Sequence, residues 1–240
     1  MRNIKAEDRL IVALDVSTLK EAKEMVKELK GLASFFKVGI ILQITAGLAF
    51  VKWLINNGNR VFLDLKYFDV QDTIREAVQA VAKIGVDFLT VHGNGKIIKA
   101  AVEGRGESKL KILAVTVLTS LDAYDIKDLG FPCSIEELVL FRAEKAVEAG
   151  CDGVISSGQE VRLIRERIGN KLLIVSPGIR LEGTNIDNHR RYATPTQAIE
   201  GGADYLVIGR PIIKEKDPRE ATEKIIREMK VAFQARENKS

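Results

Sequence analysis

Asp64-Leu65-Lys66-Tyr67-Phe68-Asp69 sets three ionisable side chains where a strand gives way to a helix. In a period-2 strand Val61, Leu63 and Leu65 share one side, while Phe62, Asp64 and Lys66 share the other. Turning Asp64 and Lys66 inward puts opposite charges where Leu or Val would pack best, and buried charge is costly unless paired. The plainer reading, an amphipathic edge strand with a wet polar face, sits poorly with the large apolar neighbours. A fixed ammonium beside a fixed carboxylate can stabilise negative charge developing on a substrate and then deliver a proton. Asp15 and Lys37 lie within or just after two earlier apolar runs. If these strands are neighbours, Asp15, Lys37, Asp64, Lys66 and Asp69 form a network of alternating sign that keeps its members ionised and rigid. Clustered aspartate also reads as a metal site, but interleaved lysines neutralise the carboxylates and repel a cation, so no metal is expected.

A second group is Ser176-Pro177-Gly178-Ile179-Arg180 together with Ile208-Gly209-Arg210. Gly178 and Gly209 allow backbone N–H groups to approach an anion, and arginine matches a phosphate with two parallel hydrogen bonds. Either glycine alone would be an ordinary turn. Two glycines with arginines at successive strand ends point to phosphate binding. His92 reads as the satisfied end of a strand and Cys151 as core. Ser156 and Ser157 lack a His and Asp in triad order.

These side chains need a scaffold that brings strand ends together. Apolar runs at 10–16, 35–40, 60–66, 88–92, 112–118, 153–157, 172–176 and 205–209 alternate with helical patterns at 18–29, 47–57, 71–84, 96–102, 135–149, 160–168, 195–200 and 219–234. Near-continuous apolar strands separated by helices indicate a parallel sheet covered by helices. Eight such units in 240 residues predict a closed (β/α)8 TIM barrel of the α/β class, one domain over 1–240, with chemistry at the C-terminal strand ends. An open doubly wound sheet would want a glycine-rich dinucleotide turn after the first strand, and Asp15-Val16-Ser17-Thr18-Leu19 is not one.

Composition narrows the function classes. The formal charge is only +4 with 29% charged residues, and no Lys/Arg run forms a nucleic-acid stripe. Aromatics at 6% disfavour a base-stacking platform, so no nucleic acid is expected as partner. A pI near 9.0 is a mild pointer to an anionic ligand. Cys133 and Cys151 are too few for a disulfide framework or zinc cage. No apolar run reaches the roughly 20 residues that span a bilayer, so no membrane partner and a cytoplasmic location are expected.

The segments Ala13-Leu14-Asp15, Phe36-Lys37-Val38-Gly39, Asp64 through Thr73, Thr116-Val117-Leu118-Thr119-Ser120, Pro177-Gly178-Ile179-Arg180 and Ile208-Gly209-Arg210-Pro211 together resemble the orotidine 5′-phosphate decarboxylase family over essentially the whole chain. The resemblance implies decarboxylation of orotidine 5′-monophosphate to UMP and CO2, without cofactor, by a homodimer with sites at the interface. It implies that Asp15 and Lys37 contact the ribose and that Lys37 orients Asp64. Lys66 is then the proton donor, Asp69 and Thr73 reach the neighbouring subunit's site, and Thr119 bonds the pyrimidine. Arg180 and the Gly209–Arg210 turn hold the phosphate, and Pro177 belongs to the substrate site. Two departures stand out: Phe68 and Val70-Gln71-Asp72 replace the family's His and Ile-Pro-Asn, and His189 stands where a Gln usually bridges base and phosphate. Segment 180–193, polar and containing Gly183, is the expected phosphate lid; 119–134 reads equally as a base cover or a surface loop. The rivals are a magnesium-dependent sugar-phosphate decarboxylase or aldolase sharing Asp-x-Lys-x-x-Asp, and a non-catalytic nucleotide-binding module.

Overall fold

The computed structural model describes residues 4–181 and 191–238. Eight parallel strands close in chain order into a barrel: β1 (Leu10–Ala13), β2 (Phe35–Gly39), β3 (Arg60–Tyr67), β4 (Phe88–His92), β5 (Lys111–Val115), β6 (Gly153–Ile155), β7 (Leu173–Ser176) and β8 (Tyr205–Ile208), with β8 pairing back onto β1. Around them run α1 (Leu19–Glu28), α2 (Ile40–Asn56), α3 (Gln71–Ala82), α4 (Gly95–Arg105), α5 (Ala123–Asp128), α6 (Ile135–Glu148), α7 (Val161–Ile168), α8 (Pro195–Gly201), α9 (Arg210–Ile213) and α10 (Pro218–Glu237). Side-chain oxygens at Thr18, Ser134 and Thr194 start α1, α6 and α8 as capping boxes. None of the helices in the described residues is long and apolar enough to cross a membrane.

Strand alternation divides the core in two. Ile11, Ala13, Phe35, Phe62, Phe88, Leu113, Val115, Ile155, Val175, Tyr205 and Val207 point into the barrel, while Leu10, Val12, Phe36, Val38, Val61, Leu63 and Leu89 pack outward under the helices. Inside, Phe88 meets Phe35 edge-on at 5.0 Å and Tyr205 at 5.2 Å. This aromatic plug fills the lower barrel, and the Arg60 guanidinium lies 4.0 Å over the Phe35 ring. The interior is therefore packed below and open only at the C-terminal mouth.

The opposite end is tied by a device that recurs three times. Gly85-Val86-Asp87, Gly150-Cys151-Asp152 and Gly202-Ala203-Asp204 each lead from a helix into an even-numbered strand. All three glycines have positive φ (+89°, +71° and +115°), which a side chain would strain. Each aspartate carboxylate then accepts the N–H that opens or follows the start of the preceding strand: Val61 at 2.9 Å, Ile112 at 3.0 Å and Ile174 at 2.9 Å. Each also pairs with an arginine, Arg60, Arg105 and Arg165 respectively. These clamps bind neighbouring strands at their N-terminal ends and hold the barrel's shear.

The structure corrects several sequence boundaries. The helix expected at 47–57 begins at Ile40 and breaks at Gly47 (φ +61°, ψ −167°), because Ile40-Ile41-Leu42 continues the apolar run of β2 and masks the turn. Region 119–134 contains α5, started by an Asp122–Asp125 capping box, rather than loop alone. The lid expectation for 180–193 falls largely on 182–190, and His189 with it, outside the described residues.

Asp204→Ala strips Ile174 N–H of its acceptor and Arg165 of its carboxylate, both in a largely buried setting. Denaturant unfolding is expected to lose about 2–4 kcal/mol, with activity at the opposite mouth unchanged in the folded fraction.

Candidate active site

A cavity of about 290 Å³ opens at the C-terminal mouth, floored by the upper inward side chains Ala13, Phe62, Val115, Ile155 and Val207. Asp15, Lys37, Asp64 and Lys66 form one wall; Thr119, Pro177, Arg180, Gly209 and Arg210 line the rest. These nine residues and Gly178, all singled out from sequence, thus share one space. Their placement follows from the alternation: Asp15, Lys37 and Asp64 each come two residues after an inward core residue, Ala13, Phe35 and Phe62.

Four of the five charges expected in one network alternate here, and Asp69 is not among them. Lys37 Nζ donates to Asp15 Oδ1 at 2.9 Å and lies 3.5 Å from Asp64 Oδ2. Lys66 Nζ donates to Asp64 Oδ1 at 2.8 Å. Lys37 is buried and the Asp64 side chain is only 14% exposed, so pairing decides whether they stay charged. Burial alone would raise the Asp64 carboxyl; Lys37, Lys66 and the hydrogen bonds from Lys66 and Thr90 outweigh it and hold the group below its usual 3.8. Burial likewise disfavours the Lys37 ammonium, and Asp64 with Asp15 reverse that and raise it above 10.5. The sign follows: the Asp64 contribution to stability is present above its unfolded value and is lost as pH falls through the depressed folded one. The Lys37 contribution is complete below its unfolded value and lost as pH rises through the raised one. Between these limits Asp64 and Lys37 are both ionised.

The backbone that carries Lys66 is unusual. β3 and β4 pair in step at Phe62↔Phe88 and Leu63↔Leu89, then resume at Tyr67↔Val91, so β3 uses four steps where β4 uses two. Within this bulge Lys66 has φ +50°, the one positive φ among the described non-glycine residues. Its N–H donates at 2.9 Å to the Thr90 hydroxyl. Thr90 was not singled out from sequence; its signal was an inward polar residue two positions after Phe88.

On the anion side, Gly178 takes φ +75°, and a Cβ there would stand 3.3 Å from Arg191 O. A Cβ on Gly209 would meet Ala13 Cβ at 3.3 Å and Asp15 Oδ2 at 3.4 Å. The Arg180 guanidinium is buried, donating to Ile179 O at 2.8 Å. Arg191, also missed from sequence, pairs with Glu160 at 2.8 Å and donates to Leu118 O at 2.7 Å, joining the loops after β5, β6 and β7.

Asp69 and Thr73 are exposed and do not reach this cavity; the Asp69 carboxylate accepts from Val70 N–H in its own turn. Burial, Arg142 and Lys66 hold the His92 imidazole below its usual 6.5, and its ring packs edge-on against Phe68 at 5.1 Å. Burial pushes the Cys151 thiol up to about 12, which suits core rather than nucleophile. Among the described residues no three His, Cys, Asp or Glu side chains gather as metal ligands.

The orotidine 5′-phosphate decarboxylase / HUMPS family model matches residues 8–225. An orotidine 5′-phosphate decarboxylase of Nitrobacter winogradskyi is 51% identical over 224 residues, 93% of each chain. One of Methylococcus capsulatus is 49% identical over 97% of this chain and 96% of its own. The crystal structure of orotidine 5′-phosphate decarboxylase from Lactobacillus acidophilus superposes with a TM-score of 0.82 at 36% identity, covering 92% of this chain and 99% of that one. By sequence and by fold, the chain belongs to the orotidine 5′-phosphate decarboxylase / HUMPS family.

Proposed function

We propose that this protein decarboxylates orotidine 5′-monophosphate to UMP and CO2, the last step of de novo pyrimidine nucleotide synthesis, with Lys66 as proton donor. The carrying observation is Lys66 Nζ 2.8 Å from Asp64 Oδ1, in a cavity whose far wall holds Arg180, Gly209 and Arg210. The relatives' names point the same way.

In this reading the phosphate binds between Arg180 and the Gly209–Arg210 turn, and Asp15 and Lys37 take the ribose hydroxyls. Thr119 and Pro177 border the pyrimidine. The bond from carbon 6 to the carboxylate breaks heterolytically, CO2 leaves, and the electron pair stays on carbon 6. Lys66 stabilises that pair and transfers a proton to it, ending neutral until solvent reprotonates it. Asp64 pairs with Lys66 and faces the departing carboxylate, a repulsion relieved as CO2 forms. Lys37, held by two carboxylates, orients Asp64. Phosphate binding far from carbon 6 supplies energy for organising the site.

The same proposal includes a homodimer. Ile40 and Ile41, next to the charged wall, are each 55% exposed; Ile44, Phe68 and Val70 are 79%, 66% and 68% exposed. So much apolar surface beside a site suits an interface. Asp69 and Thr73 lie in that region and reach the neighbouring subunit's cavity in this arrangement. We assign the enzyme to the cytoplasm on its two unpaired thiols and its small charged substrate.

Incubation with orotidine 5′-monophosphate should produce the pyrimidine difference spectrum of UMP, unaffected by EDTA; turnover that requires added magnesium would instead favour a sugar-phosphate lyase. Lys66→Ala should lower kcat by more than about a thousandfold while UMP still binds; near-normal turnover rejects the assignment. Arg210→Ala should weaken UMP binding at least about tenfold and uridine binding hardly at all; equal losses remove the phosphate role. Mixing inactive Asp69→Ala and Lys66→Ala homodimers should restore about a quarter of wild-type activity, since about half the dimers are mixed and each has one complete site.

A further inference from the structure

We propose that Thr90 is a positioning residue for the decarboxylation, its single hydroxyl fixing both the Lys66 backbone and the Asp64 carboxylate; the inference rests on the functional reading above. Thr90 lies on β4 with its side chain inward and wholly buried, directly above Phe88 in the barrel. Its Oγ1 accepts from Lys66 N–H at 2.9 Å and donates to Asp64 Oδ1 at 3.0 Å. A hydroxyl is the smallest side-chain group able to accept and donate at once.

This position matters because the β3–β4 ladder is interrupted here. Across the bulge the Lys66 N–H has no backbone carbonyl in register, and the hydroxyl takes that role. Lys66 is held at φ +50°, a conformation that L residues leave unless the surroundings hold them there. The second bond aims Asp64 Oδ1, the same oxygen that receives Lys66 Nζ. Thr90 thus joins the acid and its counter-ion through one oxygen, without lining the substrate cavity itself.

The charged groups facing Asp64 are Lys37 from β2, Lys66 on its own strand and, through Lys37, Asp15 after β1. His92 at the end of β4 is held toward its neutral form. Removing the Thr90 donor therefore leaves Asp64 with fewer bonds to its charged form, which moves its titration upward.

The test compares wild type, Thr90→Val and Thr90→Ser with orotidine 5′-monophosphate as substrate and UMP as binding probe. T90V keeps the shape and removes the hydroxyl. It should lower kcat by about 10–100-fold, leave KM and UMP affinity within about threefold, and move the acid limb of the kcat–pH profile to higher pH. T90S should recover most of kcat and the wild-type limb. The inference is overturned if T90V turns over at the wild-type rate, if T90S is as impaired as T90V, or if activity falls only with folded fraction and the pH profile stays put. Should T90V fail to accumulate folded, Thr90→Cys, with its much weaker donor and acceptor, is read by the same criteria. A wild-type protein that does not convert this substrate overturns the functional reading and this inference together; normal wild-type turnover with an unaffected T90V overturns the inference alone.

Discussion

The run Asp15–Lys37–Asp64–Lys66 is the interaction on which the rest of the structure depends. Asp64 and Lys37 have lost most of their water, and the penalty for each ion is several kcal/mol even after relaxation. Neither could stay charged alone. Each has an opposite charge on both sides: Lys37 between Asp15 and Asp64, Asp64 between Lys37 and Lys66. Such a chain is not the cheapest way to fill a barrel mouth, since apolar side chains of like volume would do so with equal or greater stability. Its presence at the barrel mouth therefore speaks for chemistry rather than folding, and the depressed Asp64 with the raised Lys37 is the electrostatic mark of that use.

Holding such a chain needs a frame that does not yield. The aromatic plug of Phe35, Phe88 and Tyr205 fills the barrel beneath the charges, so the strands cannot close on them or slide. Below the plug, Asp87, Asp152 and Asp204 fix three strand pairs in register with backbone and arginine bonds. A one-residue slip would turn every charge of the wall to the outside. The base of the barrel is thus stapled where nothing reacts, and the irregularity, a bulge with a left-handed Lys66, sits where something does. The αL geometry costs about 1–2 kcal/mol for a residue with a Cβ, a sum the two Thr90 bonds and the Lys66–Asp64 contact can offset.

Much of this was legible in the chain. Eight apolar runs with helices between them lead to the barrel because a parallel sheet needs cover on its outside and closure at its edges. Asp15, Lys37, Asp64 and Lys66 could be placed together because inward alternation and strand order alone decide where they point. Arg180 and Arg210 followed from their glycine neighbours at adjacent strand ends. What could not be read has physical reasons. The bulge at Lys66 leaves no trace in a period-2 pattern, because it changes register without changing composition. Thr90 looks like any β-branched strand residue until Asp64 stands beside it. The start of α2 was hidden because Ile40, Ile41 and Ile44 are apolar yet exposed, which breaks the link between hydrophobicity and burial that sequence reading uses. The three Gly-x-Asp clamps are too short to register as a repeat until their hydrogen bonds are seen.

The two chemistries weighed from sequence, a cofactor-free decarboxylation and a magnesium-dependent sugar-phosphate reaction, differ in whether a metal carries the developing charge, and the wall of this cavity bears on that choice. A divalent cation seeks oxygen ligands with uncompensated charge. Here Asp64 already faces two ammonium groups within 3.5 Å, and Asp15 faces one at 2.9 Å. Bringing a cation to these carboxylates would set it against Lys37 and Lys66 or displace them from the charges they compensate. In the proposed mechanism the site offers its own cation, Lys66, which would stabilise the carbanion and then hand over a proton. That proposed role fits a Lys66 tied by its backbone as well as by its tip. A point charge needs only to be near, whereas a proton donor must be aimed at the orbital that carbon 6 exposes when CO2 departs.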